Sequence, residues 1–192
     1  PSDQAIFNEE AFRKNVLEGL AFVAENNHFL TMGVKPTRPE PGYGYIQMGD
    51  VLCDNIYQVQ SFTEKPERDF AKIFMESGEF YWNTGLFLSN VSYLRECFCK
   101  ILPPVLREYD KRYPEFSVET ENAYMKETFS SYPNISVDFG ILEKPSNVCV
   151  MKCDFGWADL GTWHSIYEAM QKGSNDNVIV DSDVLMEDCH NT

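Results

Sequence analysis

The chain reads as an α/β protein, a sheet with at least some parallel order and helices packed against it. Three observations predict this. Apolar residues Phe12, Val16, Leu20 and Val23 recur at helical spacing; runs such as Ile56 to Phe62 and Val148 to Met151 are rich in β-branched and aromatic residues; and the two patterns alternate along the chain. In sheets of this kind ligands sit at the carboxyl ends of strands, so polar insertions there are the places to look for function.

Asn8 offers a cap and Glu9 and Glu10 an acidic first turn, so a helix of about five turns is expected to follow. His28 to Val34 is expected as a strand, Lys35 to Gly42 as a loop because of its prolines, and Tyr43 to Met48 and Ile56 to Phe62 as strands. A helix from Glu67 to Glu76 should stop at Gly78. Glu79-Phe-Tyr-Trp-Asn-Thr-Gly-Leu-Phe-Leu-Ser89 is a strand broken by a polar centre. Tyr93 to Tyr113 is helical with an interruption at Pro103-Pro104, where proline removes a donor and clashes with the preceding turn. Val118 to Phe129 reads as a helix, Val148 to Met151 as a strand, Thr162 to Gln171 as a helix and Val178 to Val180 as a strand.

At 192 residues the chain is long enough for one domain with a substantial core. Residues 1 to 173 are expected to form it, with the acidic tail from 174 to 192 beginning a linker or a C-terminal β module. Thirty acidic against sixteen basic residues give a net charge of −14, which would repel a phosphate backbone and excludes nucleic acid as a partner. An anionic substrate would need focal cations or a metal ion. No apolar run reaches a membrane span and no signal pattern opens the chain, so a soluble, cytoplasmic protein is expected. The six cysteines contain no Cys-x-x-Cys pair and read mainly as buried free thiols, with Cys149 and Cys153 as a chance metal or disulfide pair. The sequons at Asn90 and Asn134 read as chance matches.

Phosphate-loop, dinucleotide and nucleophile-elbow signatures do not occur. What remains is a series of short polar insertions: Pro1-Ser-Asp-Gln4, Pro36-Thr-Arg-Pro-Glu40 with Gly42-Tyr-Gly-Tyr45, Phe62-Thr-Glu-Lys-Pro66, Trp82-Asn-Thr-Gly85, Val137-Asp-Phe-Gly140 and Trp157-Ala-Asp-Leu-Gly-Thr-Trp163. Each has a plain structural reading. Glu-Lys-Pro would be a solvated strand end, Asp159 a cap for the helix holding Thr162 and Trp163, Gly42 and Gly44 turn residues, and the glycine of Trp-Asn-Thr-Gly a strand bulge.

In their order across nearly the whole chain, these insertions resemble the mannose-1-phosphate guanylyltransferases, within the sugar nucleotidyltransferases. The resemblance implies a Rossmann-like nucleotidyltransferase (nucleotide-diphospho-sugar transferase) fold, a mixed sheet with flanking helices. It implies transfer of GMP from GTP to mannose 1-phosphate, giving GDP-mannose and pyrophosphate. Two anions meet in that reaction, so positioning and charge neutralisation should supply most of the catalysis. By resemblance Asp3 and Asp159 would ligate Mg²⁺, a hard cation suited to carboxylates. Lys65 would bind the sugar phosphate and Glu64 would accept hydrogen bonds from sugar hydroxyls. Asn83 and Thr84 would be sugar ligands, with Gly85 letting the backbone approach, and Gly44, beside Tyr43, would present an amide. Asp138 lies in another family motif, with no role assigned.

Gln4 stands where the family has histidine, Pro41 where it has threonine, Thr84 where it has serine, and Phe139-Gly140 where it has tyrosine-alanine. The family's Gly-Gly-x-Gly-x-Arg-x-x-Pro segment, whose lobe holds the triphosphate and reads the base, does not occur in these residues, and the chain starts at Pro1. A fragment of a longer enzyme, inactive alone and lacking its N-terminal nucleotide-binding lobe, is therefore expected. Its uncovered sheet edge would invite pairing into a homo-oligomer. Two other functions remain open: transfer to another sugar 1-phosphate or from another nucleotide, and a noncatalytic sugar-phosphate-binding regulatory subunit.

Overall fold

A computed structural model describes residues 2–101, 103–142 and 147–192. In chain order the elements are β1 (Gln4–Ile6), α1 (Glu9–Glu25), β2 (Phe29–Val34), β3 (Gly44–Cys53), β4 (Ile56–Glu64), α2 (Arg68–Ser77), β5 (Phe80–Leu88), α3 (Val91–Ile101), α4 (Pro103–Arg112), α5 (Val118–Thr128), β6 (Val148–Cys153), β7 (Trp157–Asp159) and α6 (Trp163–Ala169). They divide into two compact units, one of Pro1–Val16 with Cys153–Thr192, the other of Leu17–Lys152.

The larger unit is built on five strands in the order β2-β5-β3-β4-β6, which close on themselves. The pairings β2–β5, β5–β3, β3–β4 and β4–β6 are antiparallel. The Phe29 amide donates to the Asn147 carbonyl across the β2–β6 side at 3.0 Å. All six residues of β2 are buried, as expected of a strand covered on both faces.

Alternation along β5 sets the two faces. Phe80, Trp82 and Thr84 are buried on one side; Tyr81, Asn83 and Gly85 are half-buried on the other. On the first face Phe74 of α2 stacks on Phe80 with ring centroids 4.1 Å apart and reaches Tyr45 at 5.6 Å. A second cluster joins Phe29, Tyr93, Cys97 and Val148, with Phe62, Phe87, Leu94 and Val137 packed around them, so that α3 covers the sheet there. Helices thus flank the sheet through apolar side chains whose burial is the main stabilising term.

The helix signals act as read. The Asn8 side chain accepts from the Ala11 amide at 3.0 Å and opens α1. Gly78 closes α2 in the left-handed region at φ 73°. The expected break near Pro103 separates α3 from α4, which starts on Pro103, where the missing donor costs nothing. Ser117 and Thr120 form a capping box on α5. Thr162 caps α6 by accepting from the Ser165 amide at 3.1 Å, so the cap of that helix is not Asp159.

Two strands were not legible. β1 and β7 pair antiparallel in the smaller unit, with Gln4 opposite Asp159. The strand expected at Val178 to Val180 does not form. Instead Val178 donates to the Thr192 carbonyl at 2.7 Å, and Asn177, almost fully buried, donates to the Cys189 carbonyl and accepts from the Thr192 amide. The thiols are free, but only Cys97, Cys149 and Cys153 are buried; Cys53 and Cys99 are exposed, a correction to the expectation of burial. Burial pushes the Cys149 thiol up to about 12.

Asn90 accounts for one of the sequons. Its Nδ2 donates to the Val23 carbonyl at the end of α1 and to Asn27 Oδ1, both at 3.1 Å. Its Oδ1 accepts from the Tyr93 amide at 2.7 Å, capping α3. Asn90→Ala is expected to destabilise the protein by about 1–3 kcal/mol, read as a lower urea midpoint with an unchanged m-value. An unaltered midpoint would contradict the role of this cap.

Candidate functional site

The larger unit sets three of the expected site residues, Gly44, Glu64 and Asn83, on one row across the sheet. Gly33 lies opposite Asn83, and Gly44 opposite Glu64. Tyr45 pairs with Trp82 and Ile46 with Tyr81, so the same register carried one step further sets Gly44 against Asn83. Residues opposite each other in antiparallel strands share a face. Asn83 and Glu64 therefore stand on one face with Gly44 between them, about 10 Å apart at two strand spacings.

Glycine at position 44 leaves the space over its backbone to the Glu64 carboxylate and the Phe62 ring. A Cβ there would lie 2.6 Å from Glu64 Oε2 and 3.0 Å from the Phe62 ring, so any side chain would displace the carboxylate. Glu64 Oε1 meets Lys65 Nζ at 3.4 Å; the Glu64 side chain is 17% exposed and that of Lys65 65%. Lys65 also adopts φ 47°, in the left-handed region that a long side chain rarely occupies. Its amide donates to the Tyr43 carbonyl at 3.2 Å, which holds the strained turn in place. Backbone strain of this kind, of order 1 kcal/mol or more, persists where the surroundings enforce it and is common at ligand sites.

The proline-rich loop is braced from the other side. The Arg38 guanidinium lies over the Tyr43 and Trp82 rings at 5.9 and 5.4 Å and pairs with Glu40 at 3.3 Å. Glu40 Oε1 accepts from the Gly42 amide at 3.1 Å, and the Glu40 amide donates to the hydroxyl of the buried Tyr45 at 3.0 Å. Tyr43 packs edge-on against Trp82 at 5.0 Å. Gly44 and Tyr43 are thus set by side-chain packing rather than by a free turn.

The polar break in β5 resolves into three different jobs. Gly85 sits at φ 71°, a conformation that favours glycine. Thr84 is 1% exposed; its hydroxyl donates to the Met32 carbonyl at 2.8 Å and accepts from the Leu86 amide at 3.3 Å. Thr84 lies on the face opposite to Asn83 and its hydroxyl is used within the sheet, beside the register shift between Thr31 and Gly33. Asn83 alone is on the glycine row. Its Oδ1 accepts from Thr31 Oγ1 at 2.8 Å and from the Gly85 amide at 3.3 Å, and its Nδ2 donates to Asp138 Oδ1 at 2.9 Å.

Asp138 opens a single π-helical turn, Asp138–Leu142, which was not expected from the sequence. Such turns occur often at functional sites. Thr31 and Arg38 were not singled out as site residues; a threonine in the fully apolar run Phe29 to Val34 was the one signal for the first.

In the smaller unit Asp3 and Asp159 come together through the β1–β7 pair. The Leu160 amide donates to the Asp3 carbonyl at 2.8 Å, and the Gly161 amide to Asp159 Oδ1 at 3.0 Å. Asp159 Oδ1 and Asp3 Oδ2 lie 3.2 and 3.6 Å from the point a Gly161 Cβ would occupy. Two carboxylates converging beside a glycine amide suit Mg²⁺, which keeps several waters and needs few protein ligands. Among the described residues no cluster of three or more His, Cys, Asp or Glu could hold a metal. Gln4, in the position of the family histidine, pairs with Asp159 in register; Pro1 lies outside the described residues.

Comparison with known proteins places the chain in a family. A family model described as nucleotidyl transferase matches residues 3–176. The chain is 33% identical over 180 residues to a mannose-1-phosphate guanylyltransferase of Sinorhizobium fredii, covering 93% of this chain and 35% of that protein. It is 35% identical to the xanthan biosynthesis protein XanB of Xanthomonas campestris, covering 100% of this chain and 40% of the relative. It therefore spans well under half the length of these relatives. A solved structure of a Thermus thermophilus protein, named mannose-1-phosphate geranyltransferase, superposes with TM-score 0.81 at 28% identity, covering 94% of this chain and 51% of that one. No helix among the described residues is long and apolar enough to cross a membrane.

Asn83→Asp keeps the acceptor for Thr31 and Gly85 but sets a second carboxylate against Asp138. The expected loss of stability is about 1–3 kcal/mol at neutral pH. Repulsion between the two raises the pKa of the pair in the folded state, so the loss should shrink as acid protonates one partner and restores a shared proton. Urea midpoints of wild type and variant should converge on acidification; a difference independent of pH would contradict the Asn83–Asp138 contact.

Proposed function

Because the chain belongs to the nucleotidyl transferase family, we propose that it is the sugar-phosphate part of an enzyme that transfers GMP from GTP to mannose 1-phosphate. A sugar phosphate oxygen attacks the α-phosphorus of the triphosphate; the new P–O bond forms as the α–β bridge breaks, and pyrophosphate leaves. The observation that carries this reading is the glycine row: Asn83 and Glu64 flank Gly44, with Lys65 next to Glu64. A hexose over Gly44 would meet a donor on one side and an acceptor on the other, and the exposed Lys65 ammonium would hold its phosphate as a point charge.

Asn83, Glu64 and the Gly44 amide bind and orient the sugar in this reading, and Lys65 offsets phosphate charge as the two anions approach. Asp3 and Asp159 would hold Mg²⁺, which when bound supplies further neutralisation of phosphate charge. Thr84 supports the site from behind through its bond to Met32 rather than by touching sugar. In this reading other parts of the protein hold the triphosphate and read its base, and this chain on its own is expected to be inactive. The tail from 174 to 192 is read as the start of a linker or a C-terminal β module, and the setting as cytoplasmic.

The test is pyrophosphate release by the full-length protein with mannose 1-phosphate, Mg²⁺ and each nucleoside triphosphate in turn. Preference for GTP is expected, with Lys65→Ala and Asp159→Ala each lowering turnover by roughly a hundredfold or more, as for other removals of preorganised charge, at unchanged melting temperature. Equal turnover in both variants would overturn the residue roles. No turnover by a well-folded wild type with any triphosphate would favour a binding subunit instead.

A further inference from the structure

The Asn83 amide is used on every side but one. Its Oδ1 has two lone pairs, and both are taken, by Thr31 Oγ1 at 2.8 Å and the Gly85 amide at 3.3 Å. One Nδ2 hydrogen goes to Asp138 Oδ1 at 2.9 Å. The second Nδ2 hydrogen has no partner among the described residues. An asparagine amide can ordinarily turn over and exchange its donor for its acceptor. Here it cannot, because turning it would point Oδ1 at the Asp138 carboxylate and set an N–H against the Gly85 amide, which can only donate.

Asp138 is itself anchored. Val137 packs into the core cluster with Phe29, Tyr93 and Val148, and Asp138 then opens the π-helical turn that brings its carboxylate to β5, 55 residues earlier in the chain. Thr31 belongs to the fully buried β2. The amide is therefore fixed from two elements that do not belong to its own strand.

We propose that Asp138 and Thr31 are positioning residues that make Asn83 a one-way donor, so that the sugar hydroxyl it meets must offer a lone pair. The inference rests on the reading of the glycine row as the sugar site. It gives the row a polarity: Asn83 donates from one flank of Gly44 and the Glu64 carboxylate accepts on the other. A sugar 1-phosphate lacking an oxygen at the Asn83 position would leave that N–H unpaired and should be rejected.

The experiment is steady-state kinetics of the full-length protein as wild type, Asp138→Asn and Asp138→Leu, varying sugar 1-phosphate and nucleoside triphosphate separately. Asparagine at 138 still accepts from Asn83 Nδ2, so its KM for sugar phosphate should stay within about threefold of wild type. Leucine cannot, and its KM for sugar phosphate should rise roughly tenfold, the value of one hydrogen bond, with the KM for triphosphate unchanged. Should the leucine variant not fold, Asp138→Ala carries the same expectation. If asparagine loses as much as leucine, the charge of Asp138 acts on substrate directly and the positioning role is overturned. An unchanged sugar-phosphate KM in Asp138→Leu also overturns it, while an inactive wild type would instead remove the sugar-site reading beneath it.

Discussion

A half-buried polar side chain within a sheet is held in one orientation when most of its donors and acceptors are matched, because each buried unmatched group costs about 1–3 kcal/mol. Asn83 is that side chain here. Its bonds to Thr31, Gly85 and Asp138 tie β2, β5 and the turn at residue 138 to one point. The positive φ of Gly85, the buried Thr84 hydroxyl on the Met32 carbonyl and the register shift in β2 all accommodate it. Apolar packing of α2 and α3 on the two faces gives the sheet its stability, and the amide gives the site its geometry.

Each of the two units sets a glycine beside acidic side chains. In the larger, Gly44 leaves room beneath Glu64; in the smaller, Gly161 leaves room beside Asp3 and Asp159. Strands hold the acidic side chains and glycine clears the space next to them. Rigid elements position such groups better than loops do. The strong net negative charge of the chain makes Lys65 and Arg38 conspicuous, and of these two only Lys65 keeps an exposed charge, since the Arg38 guanidinium is spent on Tyr43, Trp82 and Glu40.

How far this was legible in the sequence depends on the range of the physics. Helix caps at Asn8 and Gly78 and the break at Pro103 are local, and each fell where residue type placed it. β1 and β7 have three residues each and no period to detect, and their pairing joins residues far apart in the chain. Val178 to Val180 has strand composition but pairs with no strand among the described residues, and Asn177 bends the tail back on itself instead. Within the candidate site the resemblance named Asn83 and Thr84 alike as sugar ligands, and residue type could not divide the two. Strand parity does so, by sending adjacent side chains to opposite faces. Asp138 was named without a role because the role lies in a contact across 55 residues.

The central claim is that a sugar ring lies over Gly44 between Asn83 and Glu64. A crystal structure of the full-length protein with mannose 1-phosphate bound measures this most directly. Predicted is a ring over Gly44 with one hydroxyl accepting from Asn83 Nδ2, another donating to the Glu64 carboxylate, and the phosphate at Lys65. A sugar bound elsewhere, or one whose hydroxyls contact Thr84 while Asn83 keeps only its protein partners, would contradict it.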